Sequence, residues 1–248
     1  ISRSGMSPIS QRLDHPGIYA NCVEDIDLVA SVILSYDSND LDMIQNYQYK
    51  RTMSLNKPIK FGFVRGPVWN FGDEDMKHGI EEFVKNVQLD IEELDLGKDF
   101  DDAAKAHEII MNGSIANSLM NYYQTDKSNL HPFTVKRIEA GIPVSASDYV
   151  SAIEQAKKME QILKQFFKKY DAIITPAAPG QAPRDLMNTG NAIFNGYWTM
   201  MGVPAISLPF LKGKDDLPIG IQFIANWSED LKLLEICKYI LKKEKLAN

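Results

Sequence analysis

Residues that could do chemistry are sparse in this sequence, and most stand alone. Cys22 with His15 is the sharpest nucleophile-and-base pair on offer. Cys22 precedes a helical pattern, where the helix N-terminus favours a thiolate. Its neighbours Ala20 and Val23, however, read as the surroundings of a buried small hydrophobe. His15, between Asp14 and Pro16, reads as a turn residue. The carboxylate pairs Asp73/Asp75 and Asp101/Asp102 stand at helix starts, so they are expected as caps and dipole partners, not as an acid and base. His78 and His107 fall on helical stretches among charged residues and are expected as solvated groups. Neither GxGxxG nor GxxxxGK[ST] occurs, so nucleotide binding has no support. No HExxH and no metal-type Cys spacing occurs either. No cofactor and no metal is expected.

Two stretches resist a purely structural account. "YDAIITPAAPGQAP" is an apolar run that emerges into Thr175-Pro176 and a loop carrying Pro179, Gly180 and Pro183. Ligand sites in α/β sheets favour the carboxyl ends of strands. "NAIFNGYWTMMGVPAISLPF" sets Phe194, Tyr197, Trp198, Met200 and Met201 around Asn195 and Thr199. Apolar walls with a few placed polar groups suit a small-molecule pocket. The same pattern also suits a core helix.

The elements that must position these residues follow from hydrophobic periodicity. "ANCVEDIDLVASVIL" reads as a helix with Val23, Ile26, Val29, Ala30 and Ile33 at helical spacing. Asn21 is its expected cap, with Glu24 as capping-box partner. "SYDSNDLDM" and the polar run after it read as a surface linker. Lys57 to about Leu96 reads as a β-α-β unit: the strand "KPIKFGFV", a helix with Met76, Ile80 and Phe83 inward, and the alternating "QLDIEELDL". Two further helices follow, the second stopped at Gly141. Ser145 opens the clearest helix, "ASDYVSAIEQAKKMEQILKQFFKKY". "PAISLPF" and "LPIGIQFIAN" are β-runs flanking a charged turn, and Ser228 is the expected cap of a terminal amphipathic helix. Strands alternating with helices predict an α/β fold with a mixed β-sheet covered by helices.

Composition narrows the function classes. The chain has 248 residues, 44% hydrophobic and 24% charged, with a net charge of −6. It has no basic stripe, so no nucleic-acid partner is expected. Its apolar runs are too short to cross a bilayer, so no membrane is expected. Two distant cysteines make no disulfide framework, and the cytoplasm is the default compartment. The opening "ISRSGMSPISQRLDHPG" has neither an initiator Met nor a signal-peptide pattern and reads like the middle of a loop. A segment upstream is therefore expected.

Taken together, "SRSGMSPISQRLDHPGIYANCVEDIDLVASVIL", "YDAIITPAAPGQAP", "FNGYWTMMGVPAISLPF" and "LPIGIQFIA" resemble, in order, the C-terminal half of the amidase signature family. The resemblance implies residues 1–248 as the C-terminal portion of one domain. Residues 1–35 and 145–248 would be core segments, and 36–144 a variable helical and βαβ region. It implies hydrolysis of a carbon–nitrogen bond by a Ser nucleophile through an acyl-enzyme. The family's catalytic Lys and two Ser would lie upstream of this chain, leaving it no catalytic residue of its own and inactive by itself. Asp14, Thr175, Pro176, Phe194, Asn195, Trp198 and Thr199 are then expected to bind or support a small-molecule amide substrate. An N-terminal segment or companion chain is the expected partner, and an oligomer is possible. Asn21 stands where Arg is common in the family, and Ala177 where Thr is common. Two alternatives remain: an A-subunit-like glutamine amidotransferase for tRNA-linked Glu or Asp, and a non-catalytic remnant or binding module. Nothing here resembles the Gly-Tyr-Tyr and Asp-containing glutamine-binding segments of that amidotransferase.

Overall fold

A computed structural model describes residues 1–45, 55 and 58–247, with side chains up to Lys243. Among these, five strands form one mixed sheet: β1 (Lys60–Phe63), β2 (Asp90–Glu93), β3 (Ala172–Pro176), β4 (Ala205–Lys212) and β5 (Pro218–Ile224). Their order is β2-β1-β3-β5-β4. β1 runs parallel to both β2 and β3, whereas β5 runs antiparallel to β3 and β4. The helices are α1 (Val23–Ile33), α2 (Glu74–Asn86), α3 (Ala103–Asp126), α4 (Pro132–Gly141), α5 (Ala146–Phe166), α6 (Ile193–Met201) and α7 (Asp230–Ala247). The expected α/β class and mixed sheet are what the chain adopts.

The sheet is built around β3. All five of its residues are buried, as a central strand covered on both faces requires. The β-α-β unit forms as its alternation predicts, with α2 joining parallel β1 and β2. Its expected first residue, Lys57, lies outside the described residues, as does part of the linker before it. Met76 and Ile80 of α2 are buried. Phe83 is half-buried, stacked on Phe210 of β4 with ring centroids 5.0 Å apart. On α5, Ala152, Ala156, Met159 and Leu163 recur at three- and four-residue spacing and are all buried. The Ser145 hydroxyl accepts the Asp148 N–H at 3.0 Å, the expected cap.

Three helix ends differ from expectation. Cys22, not Asn21, is the N-cap residue of α1, and no side chain caps that end. Ser228 takes a positive φ of 62° in the turn before α7, which starts at Asp230. A left-handed residue two places upstream cannot act as the cap. Gly141 is not a left-handed stop but the last residue of α4, followed by Ile142 in right-handed geometry. Glycine is required there by a close approach. A Cβ at 141 would fall 2.0 Å from the Asn112 carbonyl oxygen of α3.

Among the described residues, α1 is covered on one side only. Val23, Asp27 and Ala30 are buried, and Lys238 of α7 donates to Asp27 Oδ2 at 2.8 Å. Val29 and Ile33, expected in the apolar stripe, are exposed together with Leu28 and Val32. The edge strand β4 likewise leaves Ala205, Ser207 and Pro209 exposed. Among the described residues, no helix is long and apolar enough to cross a membrane.

Candidate functional site

The sequence-predicted residues separate into two places. The first is the carboxyl end of β3, where Thr175 and Pro176 are buried. Thr175 is fully buried, and its Oγ1 has no hydrogen-bond partner among the described residues. Tyr197 Oη and Trp198 Nε1 are equally buried and unpartnered. Burial pushes the Tyr197 phenol well above its ordinary pKa, with Thr175 and Trp198 facing it and opposing that rise. The three polar atoms thus share one buried spot without reaching hydrogen-bond geometry. The tyrosine and tryptophan rings lie 4.8 Å apart, tilted by 38°.

α6 turns this aromatic set inward because its apolar residues fall on one face. Phe194, Tyr197, Trp198 and Met201 are closed into the core. Asn195 and Thr199, four residues apart, share the half-exposed side. Gly66, at φ +78°, follows β1 and lets the tyrosine in: a Cβ there would meet Tyr197 Oη at 2.7 Å. The loop leaving β3 is tied to α2. Asp73 donates its N–H to the Pro179 carbonyl at 2.7 Å, and its side chain caps the helix at Met76. A Cβ at Gly180 would strike the Asp73 carboxylate. Tyr197 belongs with Thr175 and Trp198. Its aromatic type had marked it as apolar filling, and the hydroxyl was the signal to follow.

The second place holds Asp14. Its Oδ2 accepts the N–H groups of Ile9 and Ser10, at 2.9 and 3.0 Å, and folds residues 9–14 into a compact loop. The Ser118 hydroxyl of α3 holds that loop by donating to the Ile9 carbonyl at 2.8 Å. Arg12 pairs with Glu160 of α5. Upstream, the Arg3 guanidinium binds both oxygens of Asp40, at 2.7 and 3.0 Å, and also reaches Asp42. These hydrogen bonds hold the Asp40 carboxyl well below the usual carboxylate range. The loop, residues 39–42, the middle of α3 and the α4–α5 junction line an open cleft of about 1090 Å³. Arg3 and Asp40 went unmarked because "SRSGMSP" and "DSNDLD" are rich in turn residues, and their pairing spans 37 positions.

The isolated groups sort differently from expectation. Cys22 is exposed at the start of α1, not buried. The pocket it was expected to fill lies one residue on, where Val23 is 1% exposed. His78 is exposed as expected. His107 is packed against α6, because Gly196 leaves room: a Cβ there would lie 2.7 Å from the imidazole. Burial, and then the Arg137 charge, lower the His107 pKa from its ordinary value. His15 Nδ1 is 2.7 Å from the Leu13 carbonyl, a local turn contact. Among the described residues, no group of three or more His, Cys, Asp or Glu side chains could hold a metal ion.

Comparison with known proteins then decides the lineage. The sequence model of the amidase family matches residues 1–234. The chain belongs to the amidase family. A curated relative, the A subunit of the glutamyl-tRNA(Gln) amidotransferase of Clostridium botulinum (strain Hall), is 28% identical over 267 residues, covering 93% of this chain and 55% of its own length. Among solved structures, a crystal structure of an amidase superposes with a TM-score of 0.77 at 17% identity, covering 95% of this chain and 54% of that one. The A subunit of the Thermotoga maritima glutamyl-tRNA(Gln) amidotransferase superposes at 0.73 with 22% identity, covering 98% and 55%. The chain thus spans about half the length of the curated relatives it matches. The shared fold is that of the amidase signature enzymes.

Proposed function

We propose that this chain is the C-terminal portion of an amide hydrolase that cleaves a carbon–nitrogen bond. The amidase match over residues 1–234 carries the proposal. A segment upstream, or a companion chain, supplies the Lys and the two Ser of the family's chemistry. The Lys, neutral through burial, takes a proton by way of the bridging Ser, and the nucleophilic Ser attacks the carbonyl. Backbone N–H groups hold the oxyanion, and the amine leaves. Water then releases the acid. Asp14, Thr175, Pro176, Phe194, Asn195, Trp198 and Thr199 bind the acyl portion or support the residues that do. The exposed apolar side of α1 and the open face of β4 are the surfaces such a segment would cover. The cytoplasm is taken as the working compartment, in keeping with two unpaired thiols.

A second activity has its own support. A curated relative, 28% identical, is the A subunit of a glutamyl-tRNA(Gln) amidotransferase. One experiment separates the possibilities. The chain is expressed with its upstream coding sequence, labelled with a fluorophosphonate, and assayed on simple amides and on glutamine. Labelling with turnover of amides supports the hydrolase. Turnover of glutamine alone favours the amidotransferase. A full-length product without labelling or turnover leaves the non-catalytic alternative.

A further inference from the structure

We propose that protonation of His107 drives its imidazole out of a notch in α6 and disturbs the helix that carries Asn195, Trp198 and Thr199. Such an acid-sensitive latch acts on the helix whichever reaction the chain serves. The notch exists because residue 196 is Gly. It is buried in the middle of α6. A Cβ there would lie 2.7 Å from both Nδ1 and Cε1 of His107 and 3.1 Å from Cγ. The Nδ1 edge of the ring therefore rests against bare helix backbone. His107 itself is half-buried on α3, so the rest of its ring has a way out to solvent.

Geometry and charge both oppose a proton in the notch. A neutral imidazole carries one N–H, so Nδ1 can face α6 bare. An imidazolium carries N–H on both nitrogens, and each then needs an acceptor or water. Gly196 offers its own N–H, a donor already given to the Ala192 carbonyl at 3.0 Å. Among the described residues, the charges acting on the ring are Arg137 of α4, which repels the proton, and Glu108 of α3, which attracts it less strongly. Glu108 is also shared with Arg137, 3.5 Å away. The titratable group of α6 is the Tyr197 phenol, which burial keeps protonated and neutral. No charged side chain of α5, which packs against both α3 and α6, adds to those acting on the ring. Water is what remains for a charged ring, and the ring reaches it by leaving the notch. Its departure strips the Gly196 backbone of contacts. α6 is the element that yields. It has nine residues and no side-chain cap at Ala192, and it is entered from the exposed residues 182–192.

The test follows the 248-residue chain by NMR as pH falls from the neutral range, over the span in which its far-ultraviolet circular dichroism is constant. Histidine Cε1–H signals report protonation, and the Trp198 indole N–H signal reports α6. His107 is expected to titrate below its ordinary value of 6.5, and the Trp198 signal to move with the same midpoint. His107→Gln should abolish that movement. Arg137→Gln removes the repelling charge and should raise both midpoints together; it serves alone if His107→Gln does not fold. Three results overturn the proposal: a Trp198 signal that stays put while His107 titrates, a Trp198 transition that persists in His107→Gln, or two midpoints that separate in Arg137→Gln. None of these readouts needs turnover, so the outcome is independent of the reaction assigned to the chain.

Discussion

Among the described residues, the buried polar atoms of Thr175, Tyr197 and Trp198 have no hydrogen-bond partner, and such groups lower stability for as long as they stay unpaired. Thr175→Val removes one of them at nearly constant shape. It should stabilise the chain by about 1 kcal/mol in urea unfolding. A loss of similar size would mean that the hydroxyl is bonded. His107 should couple packing to pH. Its folded pKa lies below the ordinary value of 6.5, so the unfolded chain binds the proton more readily. The stability it contributes is complete above that ordinary value and is lost as pH falls through the lowered one. Thermal midpoints should drop between pH 7 and pH 5, and His107→Gln should flatten that dependence. Asp40 has the same sign lower on the scale: full support above about pH 4 and loss below it. Hydrogen exchange of residues 1–14 should quicken there first. Thr175 and Trp198 were legible as candidates because strand end and aromatic cluster are local patterns. The Arg3–Asp40 pair was not, because nothing local says which carboxylate a surface-looking arginine will find.

Helices and strands were read well wherever a period of 3.6 or 2 ran unbroken, as in α2, α5, β2 and β5. Their ends were read less well. Asn21, Gly141 and Ser228 are residue types that favour caps and stops, yet none of them serves as one here. Gly141 shows the competition most clearly. Its lack of a side chain serves contact with the Asn112 backbone, not a left-handed turn. Gly141→Ala must push α4 away from α3 and should cost about 1–3 kcal/mol, visible as a lower denaturation midpoint. Ala substitution at Gly97, where nothing lies within 4 Å of an added Cβ, carries only the strain of its φ of +81° and is the control.

At the scale of the whole molecule, the described residues close one core and leave faces of α1 and β4 open among themselves. Leu28 is 50% exposed and Val32 74% exposed on α1. Exposed apolar stripes of this kind bind hydrophobic dyes and drive self-association. The isolated chain should bind anilinonaphthalene sulfonate and associate as its concentration rises. If the proposed upstream segment or companion chain covers these faces, co-expression with it should remove both effects, as followed by dye fluorescence and analytical ultracentrifugation. These open faces were foreseeable only through the family resemblance, because an amphipathic pattern does not reveal whether its partner lies within the same chain. The covered side of α1 has a consequence for synthesis. Asp27 meets Lys238 across 211 positions. At about 5–20 residues per second, α1 leaves the ribosome on the order of 10 to 40 s before its docking site exists. A chaperone that binds short apolar segments has that interval in which to act, and α1 is where it should be caught.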